Sequence, residues 1–132
     1  MILVDSNIIL DVVDNDPQWS LWSSAQMRRC SILDTLAVNA VVYAEISPRY
    51  TSAASVDEML QALGLSLLQI PRHAAFLAGK AFVHYRRKGG SRSNVLPDFF
   101  IGAHAAALGC PVLTRDTGRY AAYFPTVRLI AP

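Results

Sequence analysis

Four carboxylates in this sequence occupy places where acids can act together on a charged ligand: Asp5, Glu45, Asp98 and Asp116. Asp5 directly follows the β-prone run Ile2-Leu3-Val4, and Asp116 comes just after Val112-Leu113-Thr114. In a parallel α/β sheet ligands bind outside the carboxyl ends of the strands, so both acids are expected at that rim. Glu45 lies among Val42, Tyr43, Ala44 and Ile46, a setting where a surface charge is not expected. Asp98 follows Pro97 at the start of an otherwise apolar helix. Each acid also has a plainer reading. Asp5 and Asp116 suit helix caps or turns, Glu45 one solvated position of an amphipathic helix, and Asp98 the positive end of a helix dipole.

If the four do converge, charge decides what else must be there. Two unit charges ~4 Å apart at an effective dielectric of ~20 repel by about 4 kcal/mol, so a cation must sit among them. Hard carboxylate oxygens without Cys or His partners favour Mg²⁺ or Mn²⁺ over zinc. Such a site activates water and stabilises the charge that develops when a phosphodiester is displaced in line. Thr114, two residues before Asp116, is placed to hydrogen-bond a carboxylate or the attacking water, or to be an ordinary strand threonine.

These side chains need a scaffold, and the chain alternates strand and helix signals. Strands are expected at 2–4, 36–38, 66–70, 111–114 and 127–130. Between them lie helix signals: Asp5-Ser6-Asn7 opens the first, Asp16-Pro17 caps a second running to about Arg29, and Asn39 caps a third that Pro48 closes. Ser55 and Glu58 have capping-box spacing for a fourth, Arg72 opens a fifth that Gly89-Gly90 ends, Pro97 opens a sixth that Gly109 ends, and a short one surrounds 120–123. The expected fold is a three-layer α/β/α sandwich on a parallel sheet of about five strands. Gly102, Ala105 and Ala106 make the sixth helix slim, which suggests close packing against the strand that carries Asp5.

The 132 residues fit one domain over 1–132, and 52% hydrophobic against 17% charged residues, with a mean hydropathy of +0.27, exclude an intrinsically disordered chain. The start Met1-Ile2-Leu3-Val4 meets Asp5 too soon for a signal peptide, and no stretch is long enough for a membrane span, so a cytoplasmic protein is expected. Cys30 and Cys110 stand far apart without metal-ligand spacing, as two buried thiols would. The net charge of +2 is too small for nucleic-acid binding by charge alone.

The segments ILVDSNIILDV, AVVYAEI around Glu45, LPDFFIGAHAAALGCPVLTRD and the ending YFPTVRLIAP, in this order and spacing, resemble the PIN-domain ribonucleases. Within them the chain resembles the VapC-type toxins of toxin–antitoxin modules. The resemblance covers nearly the whole chain. It implies a metal-dependent endoribonuclease with an acidic quartet at Asp5, Glu45, Asp98 and Asp116, Asp5 and Asp98 being the principal Mg²⁺ or Mn²⁺ ligands and Asp116 acting directly or through water. It further implies a tRNA or rRNA substrate, a homodimer, and a cognate antitoxin that silences the site.

With those four acids set aside, 12 basic residues face 6 acidic ones, the balance of an acidic pocket in a basic surface. Lys80, His84, Arg87 and Lys88 fall on one side of the fifth helix, with Arg92 in the following loop, and are candidates to contact RNA phosphates; the plainer reading is a solvated helix end. The three histidines read as packing or surface residues. Asn7 either organises Asp5 or caps a helix. Trp19 and Trp22 have the spacing to stack bases but read rather as core or partner packing, and with the Met59 and Leu60 helix they are candidates for the homodimer and antitoxin surfaces. Two readings compete with the toxin nuclease: a PIN-like RNA-processing nuclease without antitoxin, and a non-catalytic binding module. A receiver domain lacks its central Asp and later Lys, a haloacid-dehalogenase-type phosphatase lacks the second acid in Asp5-Ser6-Asn7, and no nucleophile elbow supports a serine hydrolase.

Overall fold

The computed structural model describes residues 1–91 and 95–132. Five parallel strands, β1 (Ile2–Val4), β2 (Leu36–Asn39), β3 (Leu65–Leu68), β4 (Val112–Leu113) and β5 (Leu129–Ile130), form one sheet in the order β3-β2-β1-β4-β5. Helices α1 (Ser6–Val13), α2 (Ser20–Leu33), α3 (Ala40–Ile46), α4 (Ala53–Ala62), α5 (Arg72–Arg87), α6 (Leu96–Leu108) and α7 (Gly118–Tyr123) flank it, giving the α/β/α sandwich expected from the alternation.

β1 is central, and this explains its composition. Ile2, Leu3 and Val4 are all buried, because helices cover both faces of a parallel sheet and every position of the strand needs an apolar side chain. Leu3 pairs with Ala37 on one side and with Val112 on the other. The chain leaves β1 toward β2 and β3, then returns to β4 on the opposite side. That reversal opens a crevice at the carboxyl ends of β1 and β4, the place where open α/β sheets bind ligands.

Local signals set most helix limits, with two differences. Asn39 caps α3 as expected, its side-chain oxygen accepting from the backbone N–H groups of Val41 and Val42. Asp16 does not cap α2; it accepts from the N–H groups of Gln18 and Trp19 in a turn, and the helix starts only at Ser20. Ser52, not Ser55, caps α4, and Ser55 donates its own backbone N–H to that cap. Gly109 ends α6 with φ of +65°, a left-handed conformation that costs glycine little.

The slim face of α6 has a different partner from the expected one. A Cβ on Gly102 would stand 2.3 Å from the Phe124 ring, so the missing side chain makes room for an aromatic ring after α7 rather than for β1. Phe124 is one of a set of rings around the fully buried Phe99, which meets Tyr123 at 5.1 Å, Tyr85 at 5.7 Å and Phe124 at 6.2 Å. Edge-on and tilted aromatic pairs contribute about 0.5–1.5 kcal/mol each beyond area burial. They fix α5, α6 and α7 to one another, and α6 and α7 carry much of the site.

Candidate active site

Asp5 stands at the junction of β1 and α1. Its backbone is extended, the geometry of a helix cap, but its side chain makes no capping bond. The carboxylate is buried and turns into the β1/β4 crevice instead. Three donors converge on its Oδ2: the Thr114 hydroxyl at 2.7 Å, the Tyr120 hydroxyl at 3.0 Å and the Asn7 amide at 3.2 Å. Oδ1 is left to Ser6, whose hydroxyl lies 3.4 Å from it and 3.2 Å from Glu45 Oε1. One carboxylate oxygen is thus locked and the other faces the remaining acids.

Thr114 takes the first of the two roles open to it. The side chain is fully buried, donates to Asp5, and accepts from the backbone N–H of Asp116 at 3.0 Å, so it orients the acids and has no path to a water outside. Asn7 likewise organises the site rather than capping a helix. Its amide donates to Asp5, and its carbonyl oxygen accepts from the N–H of Arg115 at 3.2 Å, tying α1 to the exit of β4.

Glu45 and Asp98 approach from α3 and α6. Burial, with the neighbouring charges of Asp5 and Asp98, pushes the Glu45 carboxyl up from 4.5 to about 7. Burial and the charge of Asp5 also raise Asp98 above its ordinary range, against the pull of Arg119, which donates to Asp98 Oδ2 in an ion pair. Burial raises Asp5 too, opposed by its Thr114 and Tyr120 hydrogen bonds. Asp116 is exposed at the rim, where its Oδ1 accepts from the Gly118 N–H at 3.1 Å; the turn role and proximity to Asp5 and Asp98 coexist there.

In kind, these oxygen donors without nitrogen or sulfur suit a hard divalent cation. In position they are not closed around one: among the described residues no group of three His, Cys, Asp or Glu side chains is arranged to hold a metal ion. Arg119 occupies Asp98, and burial, with the neighbouring carboxylates, raises Glu45, Asp98 and Asp5 above their ordinary range.

A pH effect follows. An acid whose folded value lies above its unfolded one favours folding below the unfolded value, and that contribution is lost as pH rises through the folded value. For Glu45 the window runs from 4.5 to about 7. In EDTA, the melting temperature of the wild type is expected to fall relative to Glu45→Gln between about pH 4.5 and about pH 7. Parallel melting curves for the two proteins across that window would contradict it.

Two residues of the site, Arg119 and Tyr120, were not singled out by sequence. Both lie at the start of α7, three and four positions after Asp116, which precedes the helix. Of the candidate phosphate contacts, Lys80 and Arg87 are exposed on α5 and Lys88 at its C-terminal cap, and Arg92 lies outside the described residues. Lys80 Nζ sits 5.3 Å from the Phe76 ring centroid, and the His84 ring meets Tyr123 edge-on. Because the Tyr85 ring contacts Phe99, next to Asp98, the basic end of α5 lies beside the start of α6.

The expectations for the other residues need adjusting. Leu60 is buried in the core and Met59 half-buried, so that helix offers little apolar surface. The most exposed large apolar side chains are instead Leu21, Ile32 and Leu33 on α2, at 86%, 81% and 72% exposure, and α5 exposes Phe76 and Val83. Trp19 and Trp22 pack edge-on against each other at 5.9 Å, and Arg115 lies over the Trp19 ring. Cys30 is buried, whereas Cys110 is only partly so. No helix among the described residues is long and apolar enough to cross a membrane.

The sequence pattern of the PIN domain matches residues 2–125. The chain belongs to the PIN-domain family. PIN domains are nucleases, which agrees with acids gathered at the carboxyl ends of the central strands. No curated protein sequence matches the chain. Among solved structures, this PIN domain is similar to VapBC2 from Rickettsia felis bound to a promoter DNA fragment, with a TM-score of 0.75 and 18% identity over 100% of this chain and 99% of that one. It is also similar to DNA-bound VapBC from Salmonella typhimurium, with a TM-score of 0.70 and 20% identity over 98% of this chain and 96% of that one. A toxin–antitoxin complex from Klebsiella pneumoniae gives a TM-score of 0.60 and 21% identity over 96% of this chain and 95% of that one. At these identities the likeness is one of fold.

Proposed function

We propose that this PIN domain, a single domain over 1–132, is a metal-dependent endoribonuclease toxin of the VapC type, acting on tRNA or rRNA in the cytoplasm and neutralised by a cognate antitoxin. The observation that carries the reading is the meeting of Asp5, Glu45 and Asp98, from three separate elements, around one crevice of a PIN fold, with Asp116 at its rim. Asp5 and Asp98 would hold Mg²⁺ or Mn²⁺, with Glu45 beside them and Asp116 direct or through water. When bound, the cation supplies an activated water and the charge that stabilises in-line displacement at phosphorus. The protein's own part is positional. Thr114, Tyr120 and Asn7 fix Asp5 by one oxygen, and Ser6 holds Glu45 near the other.

Lys80, Arg87 and Lys88, with Arg92, would contact phosphates along the substrate, placing the backbone without reading sequence. The exposed apolar residues of α2 and α5 suit partner chains, an antitoxin and a second copy in a homodimer. Similarity to VapBC structures and to a structure described as a toxin–antitoxin complex supports the toxin reading over RNA processing. A non-catalytic binding module has less support, since it gives no reason to gather one buried and two half-buried acids that repel one another. Expression of the chain alone in a bacterial host is expected to arrest growth with fragmentation of tRNA or rRNA, and co-expression of its antitoxin to relieve it. Normal growth with intact RNA at high expression would contradict the toxin reading.

A further inference from the structure

We propose that Arg119 is a counter-cation built into the acid site: a divalent cation displaces its guanidinium from Asp98, and the freed guanidinium then contacts the phosphate of the RNA undergoing cleavage. The proposal rests on the nuclease reading above and adds to it a substrate-contacting residue.

Arg119 is the cation that the acids hold in this structure. Among the described residues, Asp98 pairs with it, whereas Asp5, Glu45 and Asp116 make no ion pair. The Arg119 and Asp98 side chains are 23% and 22% exposed, so the pair is screened less than a surface one yet keeps a path outward. Arg119 holds Asp98 by Oδ2, so a divalent cation taking that carboxylate competes with the guanidinium for the same charge. The displaced group cannot leave the neighbourhood, because its backbone is anchored. Tyr120, the next residue, is fully buried with its hydroxyl on Asp5, and Tyr123 at the end of α7 packs on Phe99.

The chemistry of the freed group suits the substrate. A guanidinium presents a planar fork of donors that matches phosphate oxygens as well as carboxylate oxygens. Among the described residues, Arg115, the guanidinium next to Asp116 in sequence, is not available for this. Arg115 donates from Nε to Asp11 Oδ2 at 2.7 Å and from Nη2 to Asp11 Oδ1 at 2.9 Å, with the Trp19 ring 5.0 Å away. One side chain therefore serves in turn as charge balance for the empty site and as phosphate ligand for the loaded one.

The two roles predict effects of opposite sign on one substitution. Without RNA, Mn²⁺ binding followed by electron paramagnetic resonance is expected to be about tenfold tighter in Arg119→Gln than in wild type, since the competitor is gone. RNA cleavage at saturating Mn²⁺ is expected to fall about 10²-fold, because a transition-state contact is lost. A merely structural role for Arg119 would weaken both. In the wild type, Mg²⁺ titration is expected to shift the Arg119 Nε–H resonance, a readout that needs no variant. Wild-type Mn²⁺ binding without tightening in Arg119→Gln, or an Arg119 resonance indifferent to Mg²⁺, overturns this proposal alone. Absence of Mn²⁺ binding by the wild type overturns the metal site and this proposal together.

Discussion

Asp5→Asn is expected to lower RNA cleavage on the order of 10³-fold while leaving the metal-free melting temperature unchanged or higher. Two features of the site separate these effects. The carboxylate is buried among other acids, so its charge is a liability to the empty fold and a requirement for the loaded one. Asparagine keeps the size of the side chain and an oxygen able to accept from Thr114 or Tyr120, so the hydrogen-bonded framework largely survives. The contrast appears when metal is added. At a hundredfold excess over its Kd, Mn²⁺ is expected to stabilise the wild type by about 2.7 kcal/mol, roughly 10 °C in melting temperature for a chain of this size. The variant should gain much less. Thermal melts with and without Mn²⁺, run beside a cleavage assay, check both halves; a variant that cleaves within about tenfold of wild type would contradict the role of Asp5.

Arg115→Ala should have the largest effect on stability. Asp11 is 3% exposed, and its charge is matched by the Arg115 guanidinium through two hydrogen bonds and by the Ser23 hydroxyl at 2.6 Å. Removing the arginine strands a buried carboxylate, a change that costs about 3–5 kcal/mol, or roughly 10–15 °C here. Removing both partners, Asp11→Ala with Arg115→Ala, should cost less than the two single changes summed, by about 1–3 kcal/mol. Chemical denaturation of the four proteins measures that coupling. Additive losses would mean the pair contributes nothing beyond its separate packing. Because Arg115 lies between Thr114 and Asp116, and its N–H is held by Asn7, the single variant should also loosen the rim of the site.

Much of this was legible in the sequence, for reasons that are physical. β1 could be read because a central parallel strand must be apolar at every position, and Asp5 because it interrupts that run at the rim. Asn39, Gly89 and Gly109 marked helix limits through side-chain capping or positive φ, both strictly local effects. The misses came from tertiary competition. Asp16 has capping chemistry but uses it on a turn that brings Trp19 under Arg115, and Ser52 takes the cap that Ser55 seemed to offer. The partner of Gly102 depends on where the chain returns after α7, which no local pattern encodes. Tyr120 reads as one more aromatic among apolar neighbours until the fold brings its hydroxyl 3.0 Å from an acid 115 positions earlier. Arg119 was counted only as part of a basic surface, whereas its charge is spent inside the acid cluster.

The central claim is that the carboxylate pocket cleaves RNA with the help of a divalent cation, and the most direct measurement is cleavage of RNA by the purified chain free of any partner. Wild type and Asp98→Asn are compared with Mg²⁺ or Mn²⁺ and with EDTA. The account predicts cleavage by the wild type with metal, none with EDTA, and a loss on the order of 10³-fold in Asp98→Asn. Cleavage that survives both EDTA and the substitution would contradict it.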